Sequence, residues 1–357
     1  MKTEYKNLTR IERTRMKRTL LAATLALAFS GVVGAQDTSE LLRKLQDQID
    51  KLQNEVQILK EGSLDAGGEE GVVGGEDARA KGLSIGFYGE SKYRWQGADG
   101  QNVGDSHRYV LLPSYEIADW LIFNSEIEIE HGGVADNSSR FGGKLELEQF
   151  YLDVLINDHF NIRSPGIQLV PLGRVNLIHE PTTFYSTDRP KLYRSIIPST
   201  WMETSLVGFF GEITEDLDYQ VLVSTGMIDG FDATSGVRGS RPDVDGGGIT
   251  DNSLAYSGRL HYTGIAGLDA SASMYATKVK SLGAVGGASA VLGWDVEASY
   301  RVPNTGLELR GDFAMWHFED PEKFAADNVG KRMFGYYAEA AYHFWPEAWN
   351  EGRGAHM

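Results

Sequence analysis

Apolar and polar residues alternate along much of the chain between residues 83 and 345. In 292–302, for example, Trp294 and Val296 share one face of an extended chain, and Asp295 lies on the other. A period of two is that of a half-buried β-strand, so the pattern predicts strands rather than helices. The same period recurs in 83–95, 121–130, 254–263, 268–277, 307–315 and 334–344.

The predicted strands are about 9–13 residues long, which is the length that a tilted strand needs to cross a bilayer. We therefore predict an all-β fold, an antiparallel transmembrane β-barrel of about twelve strands over 81–345, with an incomplete barrel as an alternative. A soluble β-sandwich usually has shorter strands, and a β-helix needs a short fixed repeat that we do not find. Aromatic residues at strand ends fit the interfacial girdles of such barrels: Trp95, Trp120, Tyr300, Trp316 and Phe344.

The polar face of each predicted strand is assigned to the barrel lumen, where charge need not be buried in hydrocarbon. Acidic residues outnumber basic ones on this face, and an acidic wall favours the passage of cations. The wall alone thus predicts a weak cation preference. The wall candidates are Glu90, Lys92, Arg94, Glu126, Glu128, Glu130, Arg259, Asp295, Glu297, Arg301, Glu308, Arg310 and Asp312.

The N-terminal part of the chain divides into three predicted segments. Residues 1–35 have the basic start, short apolar run and small residues of a secretory signal peptide, with Met16 as an alternative start and a membrane anchor as an alternative role. Residues 40–61 predict a short periplasmic coiled-coil helix, or else an amphipathic helix packed on another surface. Residues 62–80 predict a flexible linker. The seam of the coiled coil consists of Leu42, Leu45, Ile49, Leu52, Val56 and Leu59.

Composition and charge exclude several kinds of function. The formal net charge is −16, so there is no basic surplus for binding nucleic acid. The chain has no cysteine, which excludes disulfides, a thiol nucleophile and a cysteine-based metal site. His179 and Glu180 lack the second histidine of a zinc-protease motif. We therefore expect neither a cofactor nor a metal.

Residues 174–203 do not alternate cleanly and contain three prolines, which disfavour a central strand. We interpret them as a loop that folds into the lumen and constricts it, and an extracellular loop is the alternative. Cations at a constriction would attract anions and oppose the acidic wall. The constriction candidates are Arg174, Arg189, Lys191 and Arg194.

Five runs of the sequence carry a family resemblance: 169–181, 188–190, 196–201, 236–241 and 255–260. They are similar to those of proteobacterial outer-membrane porins that are grouped with phosphate-selective porins. The resemblance implies a channel barrel, a short coiled coil before it and a trimeric assembly, and it leaves the solute open. The end of the chain departs from that family, whose barrels close with a terminal aromatic residue. Here residues 346–357 predict an irregular tail.

These observations predict a porin of the bacterial outer membrane, in contact with its lipids, that lets small hydrophilic solutes or ions diffuse, including anions such as phosphate. One alternative is a structural tether that reaches peptidoglycan through the N-terminal helix. Another is a barrel hydrolase. Ser257 and His261 share a strand face, but four residues at roughly 3.4 Å each place them too far apart for a direct hydrogen bond. We therefore expect no enzymatic activity.

Overall fold

The computed structural model describes residues 82–95, 97, 100, 102–132, 143–232, 234–242, 253–303, 305–326 and 328–344. The predicted signal peptide, coiled coil, linker and C-terminal tail lie outside these residues. Within them, most of the regular structure is β-strand. The strands are β1 Leu83–Arg94, β2 Val103–Ala118, β3 Leu121–Glu130, β4 Lys144–Leu155, β5 Asn161–Arg163, β6 Gly166–Leu169, β7 Met202–Thr214, β8 Leu217–Thr225, β9 Leu254–Tyr262, β10 Leu268–Lys280, β11 Ala288–Arg301, β12 Leu307–Phe318 and β13 Arg332–Tyr342.

All the strands belong to one antiparallel sheet whose spatial order follows the order of the chain. The short strands β5 and β6 fill one position, since both lie between β4 and β7. The order from β1 to β13 therefore has twelve positions, which agrees with the predicted strand number. Among the described residues no pairing joins β13 to β1, so these two strands are the edges of the sheet.

The distribution of apolar and charged side chains between the two faces of the sheet is the reverse of that in a water-soluble protein. On one face, which we call the outer face, large apolar side chains are exposed, including Phe87 at 64% and Tyr336 at 73%. On the other, the inner face, charged side chains are buried, including Glu128 at 4% and Asp295 at 1% exposure. Soluble proteins bury apolar groups and seldom bury charge, so the pattern requires an apolar medium outside the sheet or a covering partner.

The connections between strands also differ between the two ends of the sheet. At one end, the short-turn end, the strands are joined by 119–120, 156–160, 215–216, 263–267 and 302–306. At the other, the long-loop end, most connections are longer: 95–102, 131–143, 226–253, 281–287 and 319–331. Transmembrane barrels have short turns at one end and longer loops at the other.

Residues 170–201, which we call the inner segment, leave the long-loop end after β6 and pack against the inner face before β7 begins. They contain two one-turn helices, α1 Arg174–Leu177 and α2 Leu192–Ser195. Trp201, at the end of the segment, packs on Tyr275 of β10 and Trp316 of β12, with ring centroids 4.9 and 5.8 Å apart. The hydrophobic core therefore lies between the inner segment and the sheet. In the described part of the chain, no helix is long and apolar enough to span a membrane.

Candidate functional site

The inner segment begins with a tight reversal that its own side chains stabilise. The Val170 amide donates to the Trp201 carbonyl at 2.9 Å, so the two ends of the segment meet. Asn176 links them further, because its Nδ2 donates to the Val170 carbonyl at 2.8 Å and its Oδ1 accepts from the Trp201 amide at 2.6 Å. Between them Gly173 has φ 72°, in the left-handed region that favours glycine. These bonds turn the chain back onto the inner face.

His179 fixes the middle of the segment to the sheet. Its Nε2 lies 3.4 Å from Glu126 Oε1 on β3 and 3.3 Å from Glu148 Oε2 on β4, and all three side chains are buried. Burial alone would lower the pKa of His179, but the two carboxylates outweigh burial and raise this pKa to about 9. At neutral pH an imidazolium therefore joins the segment to β3 and β4.

A second anchor lies on β11 and β12, where three buried acids face the segment. The hydroxyl of Tyr193 donates to Asp312 Oδ2 at 2.5 Å and lies 3.3 Å from Glu297 Oε2. The backbone amide of Arg174 donates to the same Glu297 oxygen at 2.7 Å, and Arg259 donates to Glu297 Oε1 at 2.7 Å. Glu297 and Asp312 thus hold the segment in place, and Asp295 is the third acid of this cluster.

Near the other edge of the sheet from β11 and β12, Arg108 of β2 connects the sheet to the inner segment. Its guanidinium donates to Glu90 Oε2 at 3.0 Å and to the His179 carbonyl at 2.9 Å. Arg189 donates to the same carbonyl at 3.0 Å and to Ser199 Oγ at 2.9 Å. Two guanidinium groups therefore meet at one carbonyl, which concentrates positive charge beside β1 and β2.

Next to these arginines lies a cavity of about 580 Å³, which we call the basic cavity. Its lining holds seven basic side chains and three acidic ones. Asp188 is paired with the first strand, 3.3 Å from Lys92 Nζ and 3.7 Å from Arg94. The excess of cations makes the cavity attractive to anions. The basic side chains are Lys92, Arg94, Arg108, Arg189, Lys191, Arg194 and Arg238.

The structure separates the four constriction candidates into two places. Arg189, Lys191 and Arg194 line the basic cavity together, and the last two are exposed. Arg174 does not line this cavity; its guanidinium lies 3.8 Å from Asp269 Oδ2 on β10. Three of the four candidates therefore line the same cavity, and the fourth lies elsewhere.

Most of the acidic wall candidates lie beneath the inner segment rather than beside open space. Glu126, Glu128 and Glu308 are buried, as are the three acids on β11 and β12. Glu308 contacts Arg310 at 2.7 Å and Arg301 at 3.0 Å. These carboxylates are therefore covered or paired, and they do not form an open acidic wall.

Several cavity residues were missed by sequence reasoning. Arg108 lies on β2, whose inner and outer faces both carry apolar residues, so no clean alternation marked this strand. Arg238 comes from the connection after β8, where its guanidinium donates to the Ser199 carbonyl at 3.1 Å. Arg238 lies in the run 236–241, whose resemblance to porin sequences is the one indication in the sequence that this residue belongs to the site.

Ser257 and His261 do not form a catalytic pair. The ring nitrogens of His261 lie 3.1 Å from Asp218 Oδ2 and 3.1 Å from Asp269 Oδ1. The residues register with different neighbours, Ser257 with Leu222 and His261 with Asp218. His261 is thus engaged by two carboxylates rather than by the serine.

Among known proteins, no family model matches the chain. An uncharacterized protein of Aquifex aeolicus (strain VF5) is 34% identical over 278 residues, 73% of this chain and 62% of that protein. The chain thus spans about three fifths of the length of this relative.

Three solved structures to which the chain is similar share only a small part of its sequence. The outer-membrane channel DcaP of Acinetobacter baumannii has a TM-score of 0.49 at 13% identity, over 74% of this chain and 75% of that one. OmpF of Salmonella typhi, in complex with daunomycin, has a TM-score of 0.39 at 9% identity, over 74% and 87%. An anion-selective porin from Comamonas acidovorans has a TM-score of 0.31 at 12% identity, over 66% and 80%.

Proposed function

We propose that the chain inserts into the bacterial outer membrane as a porin through which small hydrophilic solutes and ions diffuse, with small anions such as phosphate favoured at the basic cavity. The observation that carries this proposal is the inversion of the sheet, with apolar side chains exposed on the outer face and charge on the inner face. Transmembrane barrels have this arrangement, because lipid surrounds them and their interior is polar.

The outer face supports membrane insertion energetically. Phe87, Met274 and Phe334 are more than half exposed, and exposed apolar surface costs roughly 25 cal/mol per Å² in water. Contiguous apolar patches of more than a few hundred Å² are rare on soluble monomers. Lipid is the medium that removes this cost over a whole sheet.

The basic cavity supports a preference for anions. Its cations lie on the inner segment, on β1 and β2 and, with Arg238, on the connection after β8, so they surround one volume instead of being spread along the wall. Lys191 and Arg194 are exposed there. Since fixed charge at a narrow point acts on every ion that passes, these side chains dominate the selectivity.

Assembly is part of the proposal as well. The heptad seam is proposed to associate copies of the chain, as a trimer, and to bring the N-terminal segment into reach of peptidoglycan. Both suggestions rest on the sequence pattern at 42–59 and on the porin resemblance.

The selectivity is tested by the reversal potential of the purified full chain in a planar bilayer under a KCl gradient. Replacing both Lys191 and Arg194 with glutamine should lower the chloride-to-potassium permeability ratio by at least about fivefold, since each unit charge a few Å away contributes about 1 kcal/mol in water. Lys278→Gln, on the exposed outer face of β10, is the matched control and should leave the ratio unchanged. An unchanged ratio in the double variant would contradict passage through the basic cavity.

A further inference from the structure

Two histidines and an aspartate meet at the long-loop end of β2 and β3. His131 Nδ1 lies 2.8 Å from Asp105 Oδ1, and His107 Nδ1 lies 3.2 Å from Asp105 Oδ2. The two imidazole rings are 5.7 Å apart between centroids and are arranged edge to face. One nitrogen or oxygen atom of each residue lies within 4.8 Å of the others. The three side chains thus converge on a single small volume.

The sheet itself brings these residues together. Asp105 and His107 are two positions apart on β2, and His107 lies at a β-bulge where the register with β1 shifts between Lys92 and Glu90. His131 follows the end of β3, and its backbone amide donates to the His107 carbonyl at 3.1 Å, which extends the β2–β3 pairing by one bond. The site is consequently built on paired strands, and its geometry does not depend on a long loop.

The ligand chemistry fits a divalent transition-metal ion. Two imidazoles and one carboxylate are the donors that zinc accepts in sites with an open position, at about 2.0–2.2 Å from the metal. Donor atoms at that distance around a tetrahedral ion are about 3.3 Å apart, close to the 2.8 and 3.2 Å found here. The metal would replace the protons that the two Nδ1 atoms share with Asp105.

The accessibility of the site fits an exchangeable ion. The side chains of Asp105, His107 and His131 are 25%, 30% and 32% exposed. An ion can therefore enter from water, whereas the other histidine cluster, around His179, is closed from solvent. Asp105 and His107 also line the basic cavity, so a bound divalent ion would add positive charge at its margin.

We propose that Asp105, His107 and His131 bind one divalent transition-metal cation, with Zn²⁺ as the best match. Nitrogen donors distinguish this site from a calcium or magnesium site, since those ions take oxygen ligands. The remaining coordination position is left for water or for an anion in the cavity. The metal site stands apart from the proposed transport function and does not require it.

The test is calorimetric titration of Zn²⁺ alone into the full chain in detergent, after treatment with a chelator and desalting. One Zn²⁺ per chain should bind, and His107→Gln or His131→Gln should weaken binding by about a hundredfold or more, because even loss of a partner of a metal ligand costs 10–100-fold. His159→Gln is the control, since this exposed histidine lies elsewhere, with Nδ1 at 2.8 Å from the Glu212 carbonyl. No stoichiometric binding by the parent, or equal binding by the two site variants, would overturn the proposal.

A second measurement needs no variant and covers the case in which the glutamine variants fail to fold. Diethyl pyrocarbonate modifies accessible histidines, and mass spectrometry of the parent chain locates the products. Zn²⁺ should protect His107 and His131 and leave the modification of His159 unchanged. Equal modification of His107 and His131 with and without Zn²⁺ would show that these residues do not hold the ion.

Discussion

At the scale of single residues, the fold depends on charged and polar groups that are buried where the inner segment meets the sheet. His179 is the clearest case, because its ring lies between Glu126 and Glu148 with almost no exposure to solvent. Removing one member of a buried ion pair leaves an uncompensated charge. The stability of the inner segment should therefore depend on the protonation of this one ring.

The pKa of His179 gives that dependence a direction. The folded-state pKa is about 9, above the value of about 6.5 for an unperturbed histidine. The contribution to stability is therefore complete below about pH 6.5 and is lost as the pH rises through about 9. We expect the urea midpoint of the detergent-solubilised chain to fall between pH 7 and pH 10.

At pH 7 the free energy of unfolding of His179→Gln should be about 3–5 kcal/mol lower than that of the parent, which is the usual cost of breaking a buried ion pair. Above pH 7 the stability of the parent should decrease, whereas that of His179→Gln should change little. The control His159→Gln changes an exposed histidine and should keep the pH profile of the parent. An identical profile in His179→Gln would show that His179 does not carry the effect.

The sequence indicates on which face of a strand these residues lie, but it does not indicate which residues they contact. Alternation assigned Asp295, Glu297 and Asp312 to the polar face, but it did not indicate that Tyr193 and the amide of Arg174 would cover them. Those partners are more than one hundred residues distant in the chain. Contacts of that separation are determined by how the inner segment folds back, which leaves no periodic signal.

At the scale of elements, the strands were predictable wherever the inner face is polar. The bounds of β3 are those that the alternation predicted, and β1 and β9 to β13 differ by a few residues. The signal fades where the inner segment covers the sheet, because both faces are then apolar. Val110 of β2 and Trp316 of β12 are inner-face residues of this kind, with 0% and 1% exposure. Residues 174–203 were predicted as non-strand, which holds up to Trp201 but is wrong at 202–203, where β7 begins. The helices α1 and α2 were not predicted.

Gly173 is the point at which the inner segment turns, and a side chain there should disturb it. A Cβ atom on Gly173 would lie 2.7 Å from Tyr193 Cε1 and 3.0 Å from Ile197 Cδ1, in addition to the cost of φ 72°. Gly173→Ala should therefore lower the free energy of unfolding by about 2–5 kcal/mol, since the left-handed conformation alone costs roughly 1–2 kcal/mol and overpacking about 1–3 kcal/mol.

Gly286 provides the matched control for this substitution. It has a similar φ of 67°, but a Cβ there would meet nothing within 4 Å. Gly286→Ala should thus show only the backbone cost, which urea unfolding in detergent can compare directly with Gly173→Ala. Equal losses in the two variants would mean that the contacts of Gly173 with Tyr193 and Ile197 do not matter.

At the scale of the whole described sheet, the main feature is the contrast between its outer and inner faces. The outer face exposes side chains such as Phe87 and Tyr336, and the inner face encloses charge, the inner segment and the basic cavity. The inner segment touches both edges of the sheet: Asp188 contacts β1, and Tyr193 packs on Tyr337 of β13 at 6.1 Å between centroids. The sheet therefore curves around the segment, and the proposed ion path runs alongside the segment.

The most direct test of this claim uses the absence of cysteine from the sequence. Lys191→Cys places one thiol in the basic cavity, and Lys278→Cys places one on the outer face as a control. Single channels of each variant are recorded in a planar bilayer while a negatively charged methanethiosulfonate reagent is added to the aqueous phase. The current of Lys191→Cys channels should fall in steps, and the current of Lys278→Cys channels should not change. A current through Lys191→Cys that is unaffected, although mass spectrometry confirms the modification, would contradict ion passage along the inner segment.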